Sequence, residues 1–257
     1  SPSHKSFQCG DDEMRLTRCF VDAPLQSGTR VVLPESTANH LARVLRLREG
    51  DDCVLFNGDG QDYAARLAAV GKREVSADVL SASVLHNESP LRLVLLQSIA
   101  RGEKMDLILQ KAPELGVTGV LPVIAERTEV KLDAERTAKR MSHWRSVMVS
   151  ACEQSGRARV PELAHPTALA QAATNLPQDC IKLTLDPVGE FSLATLNAPG
   201  TQSIAIAIGP EGGWSPRDRE VLSAAGFLGL RMGPRILRTE TAGLAAIAAL
   251  QSRFGDL

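Results

Sequence analysis

Ile208-Gly209-Pro210-Glu211-Gly212-Gly213-Trp214-Ser215-Pro216 reads as a buried strand that runs into a glycine-rich loop and then into a helix. The preceding residues from Ile204 are apolar throughout, which suits a strand buried on both faces of a parallel sheet. Ser215 is placed to cap the helix, Pro216 fits its first position, and Asp218 completes a capping box. A loop at the carboxyl end of a parallel strand is where α/β folds bind ligands. Its glycines would let backbone groups approach a ligand closely, and they would equally serve a tight turn that needs positive φ. The loop lacks GK[ST] and GxGxxG spacing, and Glu211 would repel a phosphate, so a ligand without phosphates is favoured.

Outward from this loop the chain alternates. Leu91 to Ile99, Gly119 to Ile124, Ile181 to Leu185 and Leu228 to Met232 are further apolar strand candidates. Helical patterns cover Glu103 to Leu115, Asp133 to Cys152, Pro216 to Ala225 and Ala242 to Phe254. Such alternation predicts an α/β domain with a parallel sheet over residues 90–257. A second strand-to-helix loop, Met232-Gly233-Pro234-Arg235-Ile236-Leu237-Arg238-Thr239-Glu240-Thr241-Ala242, would wall a pocket with the first. Arg235 and Arg238 there are read as serving a ligand or as pairing with Glu240. The small residues Ala242, Gly243, Ala245, Ala246, Ala248 and Ala249 suit close internal packing or a dimer seam. At the end of the first strand of this domain, Arg101 is expected to be functional. Lys104 and Lys111 fall on the polar face of the helix that follows.

Residues 14–87 read differently, as short alternating strands such as Arg30 to Leu33, Cys53 to Phe56 and Val75 to Val79, with a strong turn at Asn57-Gly58-Asp59-Gly60. One helix is expected from Glu35 to Arg48, with Leu41, Val44, Leu45 and Arg48 on one face and Gly50 ending it. This pattern predicts a small β-barrel carrying one helix, joined to the α/β domain by the polar hinge His86 to Pro90. Residues 1–13, ahead of Met14, are expected to be vector-derived or disordered.

Composition narrows the function. Net charge is −1, so bulk binding to nucleic acid is not expected and any RNA contact must be a local patch. Aromatic residues are 4% of the chain, too few for base-stacking platforms. No apolar run approaches the roughly 20 residues that cross a bilayer, so no membrane role is expected. The five cysteines form no CxxC pair, which suggests neither a zinc site nor a disulfide framework, and a reducing cytoplasm fits.

The segments SIARGEKMD (98–106) with QKAPELGV (110–117), CEQSGR (152–157), IGPEGGWSP (208–216), MGPRILRTETA (232–242) and NHLARVLRLREGD (39–51) together resemble the motif set of RsmE-type SPOUT methyltransferases, in family order from about Met14 to the final RFGDL. The resemblance implies a PUA-like β-barrel followed by a SPOUT α/β domain with a C-terminal trefoil knot, a topology that periodicity cannot suggest. It implies a homodimer acting on ribosomal RNA or the small ribosomal subunit, methylating N3 of a uridine. S-Adenosylmethionine (SAM) would be held by Leu185, by Ile208, Gly209, Pro210, Glu211 and Gly212, and by Met232, Gly233, Ile236, Leu237, Arg238 and Thr241. Its adenine would be read largely by backbone groups. One departure is Pro113, inside a helix where the family usually has an N–H donor; a local kink is expected there.

Methylation of N3 requires removal of a weakly acidic imide proton. Arg238 and Arg101 are the candidates for stabilising the imidate oxygens, and Glu240 or Glu153, the latter reaching across the dimer, for accepting the proton. Arg18, His40, Arg43 and Arg46 would form a basic stripe gripping phosphates, with Lys104 and Lys111 as further RNA contacts. Competing readings are a SPOUT enzyme acting on transfer RNA and a non-catalytic PUA-type RNA-binding protein. The second would need no pair of ligand loops.

Overall fold

A computed structural model of the protein describes residues 16–197, 200 and 203–257; the segment 1–13 lies outside them. The chain divides between Val84 and Leu85 into two compact units.

In the first unit, inward and outward residues alternate as a half-buried sheet requires. On β4 (Gln61–Val70) the buried residues are Tyr63, Ala65 and Leu67; on β5 (Val75–Val84) Val75, Ala77 and Val79 face the same core. With β1 (Arg18–Phe20), β2 (Arg30–Val32) and β3 (Asp52–Phe56) they form a sheet of order β1-β3-β4-β5-β2. Only the β1–β3 pair is parallel. The Asn57–Gly60 turn forms between β3 and β4. Gly58 and Gly60 adopt φ of 94° and 92°, and the Asn57 and Asp59 side chains accept the N–H groups of Asp59 and Gln61.

The expected helix from Glu35 to Arg48 is corrected. An α-helical turn, α1 (Glu35–Asn39), passes into a π-helical turn at His40–Val44. Leu45 N–H then bonds the His40 carbonyl, and Arg46 adopts a φ of 56°. The wider turn rotates the expected apolar face apart. Leu41 stays buried, but Val44 is 67% exposed, and Leu47 packs against the core instead.

The second unit is a parallel sheet with helices on both faces. Its strands are β6 (Arg92–Ser98), β7 (Gly119–Ile124), β8 (Glu162–Leu163), β9 (Thr167–Ala168), β10 (Ile181–Leu185), β11 (Phe191–Ser192), β12 (Ser203–Ile208) and β13 (Leu228–Arg231). The order is β11-β13-β10-β12-β6-β7-β8, with β9 also pairing β7. The residues of β12 show why both faces are covered. Ile204, Ile206 and Ile208 join the core beneath α2 (Gly102–Glu114), α3 (Ala134–Ser155) and α6 (Thr239–Phe254). Ala205 and Ala207 face the opposite core, where α4 (Leu169–Thr174) and α5 (Pro216–Ala224) pack with Trp214 and Phe227. After β13 the chain returns across the sheet, so that α6 packs on β12, β6 and α2.

Pro113 occupies the next-to-last position of α2, where little helix remains for a proline to bend. Its carbonyl accepts from Gly116 N–H and from Arg157 Nη1 at 2.9 Å. Arg157 is buried, also donates to the Val117 carbonyl, and forms a two-pronged ion pair with Glu88. It ties the Glu88 segment to the end of α2. On α6, Ala242, Gly243 and Ala246 are used for internal packing, and a Cβ at Gly243 would sit 3.4–3.6 Å from Gln97, Ile208 and Leu95.

Candidate active site

A cavity of about 580 Å³ opens at the carboxyl ends of β10, β12 and β13. That is the position at which parallel α/β sheets bind ligands, and the volume is in the range of small-molecule sites. Three strand-end segments wall it: Leu185–Pro187, Ile208–Trp214 and Met232–Ala242.

Each segment is shaped locally. Asp186 accepts the Val188 N–H at 3.0 Å, turning the chain after β10, while Gly189 and Gly229 pack backbone to backbone; a Cβ at Gly189 would lie 2.6 Å from the Gly229 carbonyl. In the second segment Gly213 adopts a φ of 73° and bonds the Pro210 carbonyl. Trp214 packs under Gly209, where a Cβ would meet its ring at 3.3 Å, and its Nε1 donates to Thr184 Oγ1 at 3.0 Å. The expected capping box of Ser215 and Asp218 is present. The turn after β7 braces this loop from outside: Glu126 accepts from Ser215 Oγ at 2.7 Å, and Arg127 donates to the Gly212 carbonyl at 3.0 Å.

Polar groups gather on one wall. Glu240 has 16% of its side chain exposed, and its Oε2 is buried without a hydrogen-bond partner. Lys104 Nζ lies 3.9 Å from Glu240 and 4.0 Å from Glu211, beyond hydrogen-bond reach of either. Arg238 precedes α6 at the cavity wall, and Arg235 and Arg219 stand at the same opening. Ile236 is 89% exposed there.

The structure gathers most of the cofactor residues expected from sequence. Leu185, Ile208, Gly209, Pro210, Glu211, Gly212, Met232, Gly233, Ile236, Leu237 and Arg238 line the cavity; Thr241 does not, facing solvent in the first turn of α6. Of the expected catalytic residues, Arg238 and Glu240 share the cavity. Arg101 does not reach it, because its guanidinium pairs with Glu129, although its backbone N–H donates to Glu211 at 3.2 Å. Glu153 lies on α3, also away from the cavity wall.

Among the RNA candidates, His40, Arg43 and Arg46 are exposed on and beside the π-helical turn. Arg18 does not join them: it is held in two bonds by Asp62, stacks over the Phe56 ring, and has 7% of its side chain exposed. Lys111 pairs with Glu114 at 3.1 Å, while Lys104 is part of the cavity wall. Asp186 lies outside the residues expected at the site; Trp214 and Thr239 fall within the two loops expected to wall the pocket, without being among the expected cofactor residues. Position at a strand end is a usable signal for Asp186.

Comparison with known proteins adds to this geometry. A family model described as an RNA methyltransferase domain matches residues 87–251, and one described as an RNA methyltransferase PUA domain matches residues 33–80. Ribosomal RNA small subunit methyltransferase E of Buchnera aphidicola is 31% identical over 95% of this chain and 98% of its own length. Its Bacillus subtilis counterpart is 31% identical over 82% and 86%. The crystal structure of the Neisseria gonorrhoeae enzyme of that name, bound to S-adenosyl methionine, is 40% identical with a TM-score of 0.87, covering 94% of this chain and 99% of its own. A Legionella pneumophila protein solved with bound SAM is 38% identical with a TM-score of 0.90, over 95% of this chain and 100% of its own.

Proposed function

The chain belongs to the RNA methyltransferase family, and on that premise we propose that it transfers the methyl group of SAM to N3 of a uridine in small-subunit ribosomal RNA. One observation carries the reading above the others: the cavity built by three strand-end loops belongs to a fold shared at 40% identity with a small-subunit methyltransferase that holds SAM.

The residues fit that cofactor. The wall offers backbone groups and apolar side chains such as Leu185, Ile208, Met232 and Leu237, without a phosphate cradle. The orphaned Glu240 Oε2 is a buried acceptor suited to a cationic or protic neighbour. When bound, SAM supplies an electrophilic methyl group.

The protein's own groups do the rest. Arg238 places a permanent positive charge where the uracil carbonyl oxygens become anionic, and electrostatic positioning of this kind is usually the largest catalytic contribution. Glu240 accepts the N3 proton, with the Lys104 ammonium complementing its charge. With Arg101 engaged by Glu129, Arg238 and Glu240, which share the cavity, are the preferred pair; Glu153, away from its own chain's cavity, would serve only across the proposed dimer. His40, Arg43 and Arg46 grip phosphates and contribute affinity rather than sequence reading.

We further propose that the return of the chain from β13 to α6 forms a trefoil knot, that residues 14–87 and 90–257 are the functional domains, and that the enzyme works as a homodimer in the cytoplasm. No helix among the described residues is long and apolar enough to cross a membrane, and Cys19, Cys53, Cys152 and Cys180 are free thiols.

Calorimetry with SAM, followed by methyl transfer from labelled SAM to ribosomal and transfer RNA, tests the reading. SAM binding with label only in small-subunit RNA is expected. Absence of SAM binding would reduce the chain to an RNA-binding protein, and label in transfer RNA would move it to another substrate class.

A further inference from the structure

Gln97 on β6 is fully buried beside an otherwise apolar core, where an amide is unfavourable unless it is bonded. Its Nε2 donates to the Ser98 carbonyl at 2.9 Å and to Thr239 Oγ1 at 3.0 Å. Thr239 Oγ1 in turn donates to the Gly209 carbonyl at 2.7 Å. The direction of this relay is forced. A carbonyl can only accept, so the hydroxyl proton goes to Gly209 and the hydroxyl must accept from the amide N–H. That fixes the amide orientation and leaves Gln97 Oε1 buried without a partner.

The relay joins parts of the cavity wall that the backbone does not join. Gly209 belongs to the β12 loop, and Thr239 is the first residue of α6, between Arg238 and Glu240. Gln97 stands opposite Ile208 in the β6–β12 register, which puts the anchor directly beneath the glycine-rich loop. The Gly209–Pro210 peptide has no N–H to offer because its nitrogen is proline's. Its carbonyl is therefore that peptide's one hydrogen-bonding group, and Thr239 is the donor that meets it.

We propose that Gln97 and Thr239 are positioning residues that lock the Gly209 loop and the start of α6 into a single cofactor-binding geometry. This rests on the reading of the cavity as a SAM site.

Calorimetry and steady-state kinetics on full-length variants test it. Thr239→Val keeps the shape and removes the hydroxyl; it should weaken SAM binding about tenfold or more, with KM for SAM rising in step and kcat at saturating SAM changing by less than about threefold. Thr239→Ser, which retains the hydroxyl, should bind within about twofold of the wild type. Gln97→Leu should weaken binding by only about threefold, because the Thr239–Gly209 bond survives. Near wild-type affinity in Thr239→Val, or equal losses in the valine and serine variants, would overturn the proposal. If Thr239→Val does not fold by circular dichroism, Gln97→Leu decides: unchanged SAM affinity overturns it and a selective loss supports it. A wild type that binds no SAM would overturn the cofactor reading, and this one with it.

Discussion

Arg238 and Tyr63 are the side chains whose roles are most open to direct measurement. Arg238 lines the cavity beside Thr239 and Glu240, and its proposed work is done only as charge develops on the uracil oxygens. Arg238→Ala should therefore lower kcat by about 10²–10³-fold while the Kd for SAM changes little. Equal losses in both, measured by single-turnover kinetics and calorimetry, would make it a cofactor residue instead. Tyr63 is the chain's single tyrosine. Its hydroxyl donates to Asp59 at 2.6 Å, and this bond, with burial, pushes its pKa up to about 12. The fold favours the neutral phenol, so the stability it contributes is whole below the unfolded pKa of about 10 and is lost as pH rises through 12. Ultraviolet titration should show one phenolate transition near pH 12 in native protein and near pH 10 in denaturant; a native transition near 10 would mean that the Asp59 bond is not made. Glycine, proline and charge at strand ends made the cavity residues legible in advance. Arg18 departs from the expected stripe because spacing cannot show that Asp62 and the Phe56 ring hold it.

At the level of elements, strands buried on both faces announce themselves, which is why β6, β7, β10 and β12 were legible almost residue for residue. β4 was not, since Ala64, Ala65, Ala68 and Ala69 carry little strand preference and its conformation is imposed by pairing with β3 and β5. The turn at His40–Val44 departs from the expected α-helix for a related reason: apolar residues at helical spacing cannot reveal a π-helical register. Arg157 shows how elements are joined. Its guanidinium caps the end of α2 through the Pro113 and Val117 carbonyls and pairs with Glu88. Arg157→Met should remove about 2–4 kcal/mol, because it leaves the Val117 carbonyl and the partly buried Glu88 carboxylate without this donor, while the Pro113 carbonyl keeps the Gly116 N–H. Urea unfolding monitored by fluorescence checks this, and an unchanged midpoint would show that water replaces the arginine at little cost.

For the whole molecule, a net charge of −1 means that RNA affinity must come from local groups. The exposed His40, Arg43 and Arg46 are the first candidates. A double variant, Arg43→Ala with Arg46→Ala, should lower RNA affinity and flatten the dependence of log K on log salt by about 1–2, leaving SAM binding intact. An unchanged salt slope would place the phosphate grip elsewhere. A parallel sheet with a ligand site at its strand ends is readable from sequence, whereas the long return of the chain from β13 to α6 has no local signature. Methyl transfer to uridine N3 can be read out by incubating small ribosomal subunits from a strain lacking this protein with the purified enzyme and SAM, then mapping the modified nucleotide by mass spectrometry. One uridine methylated at N3 is predicted, absent without enzyme and nearly absent with Arg238→Ala; a methyl group on ribose, on another base, or nowhere in the small-subunit RNA would contradict it.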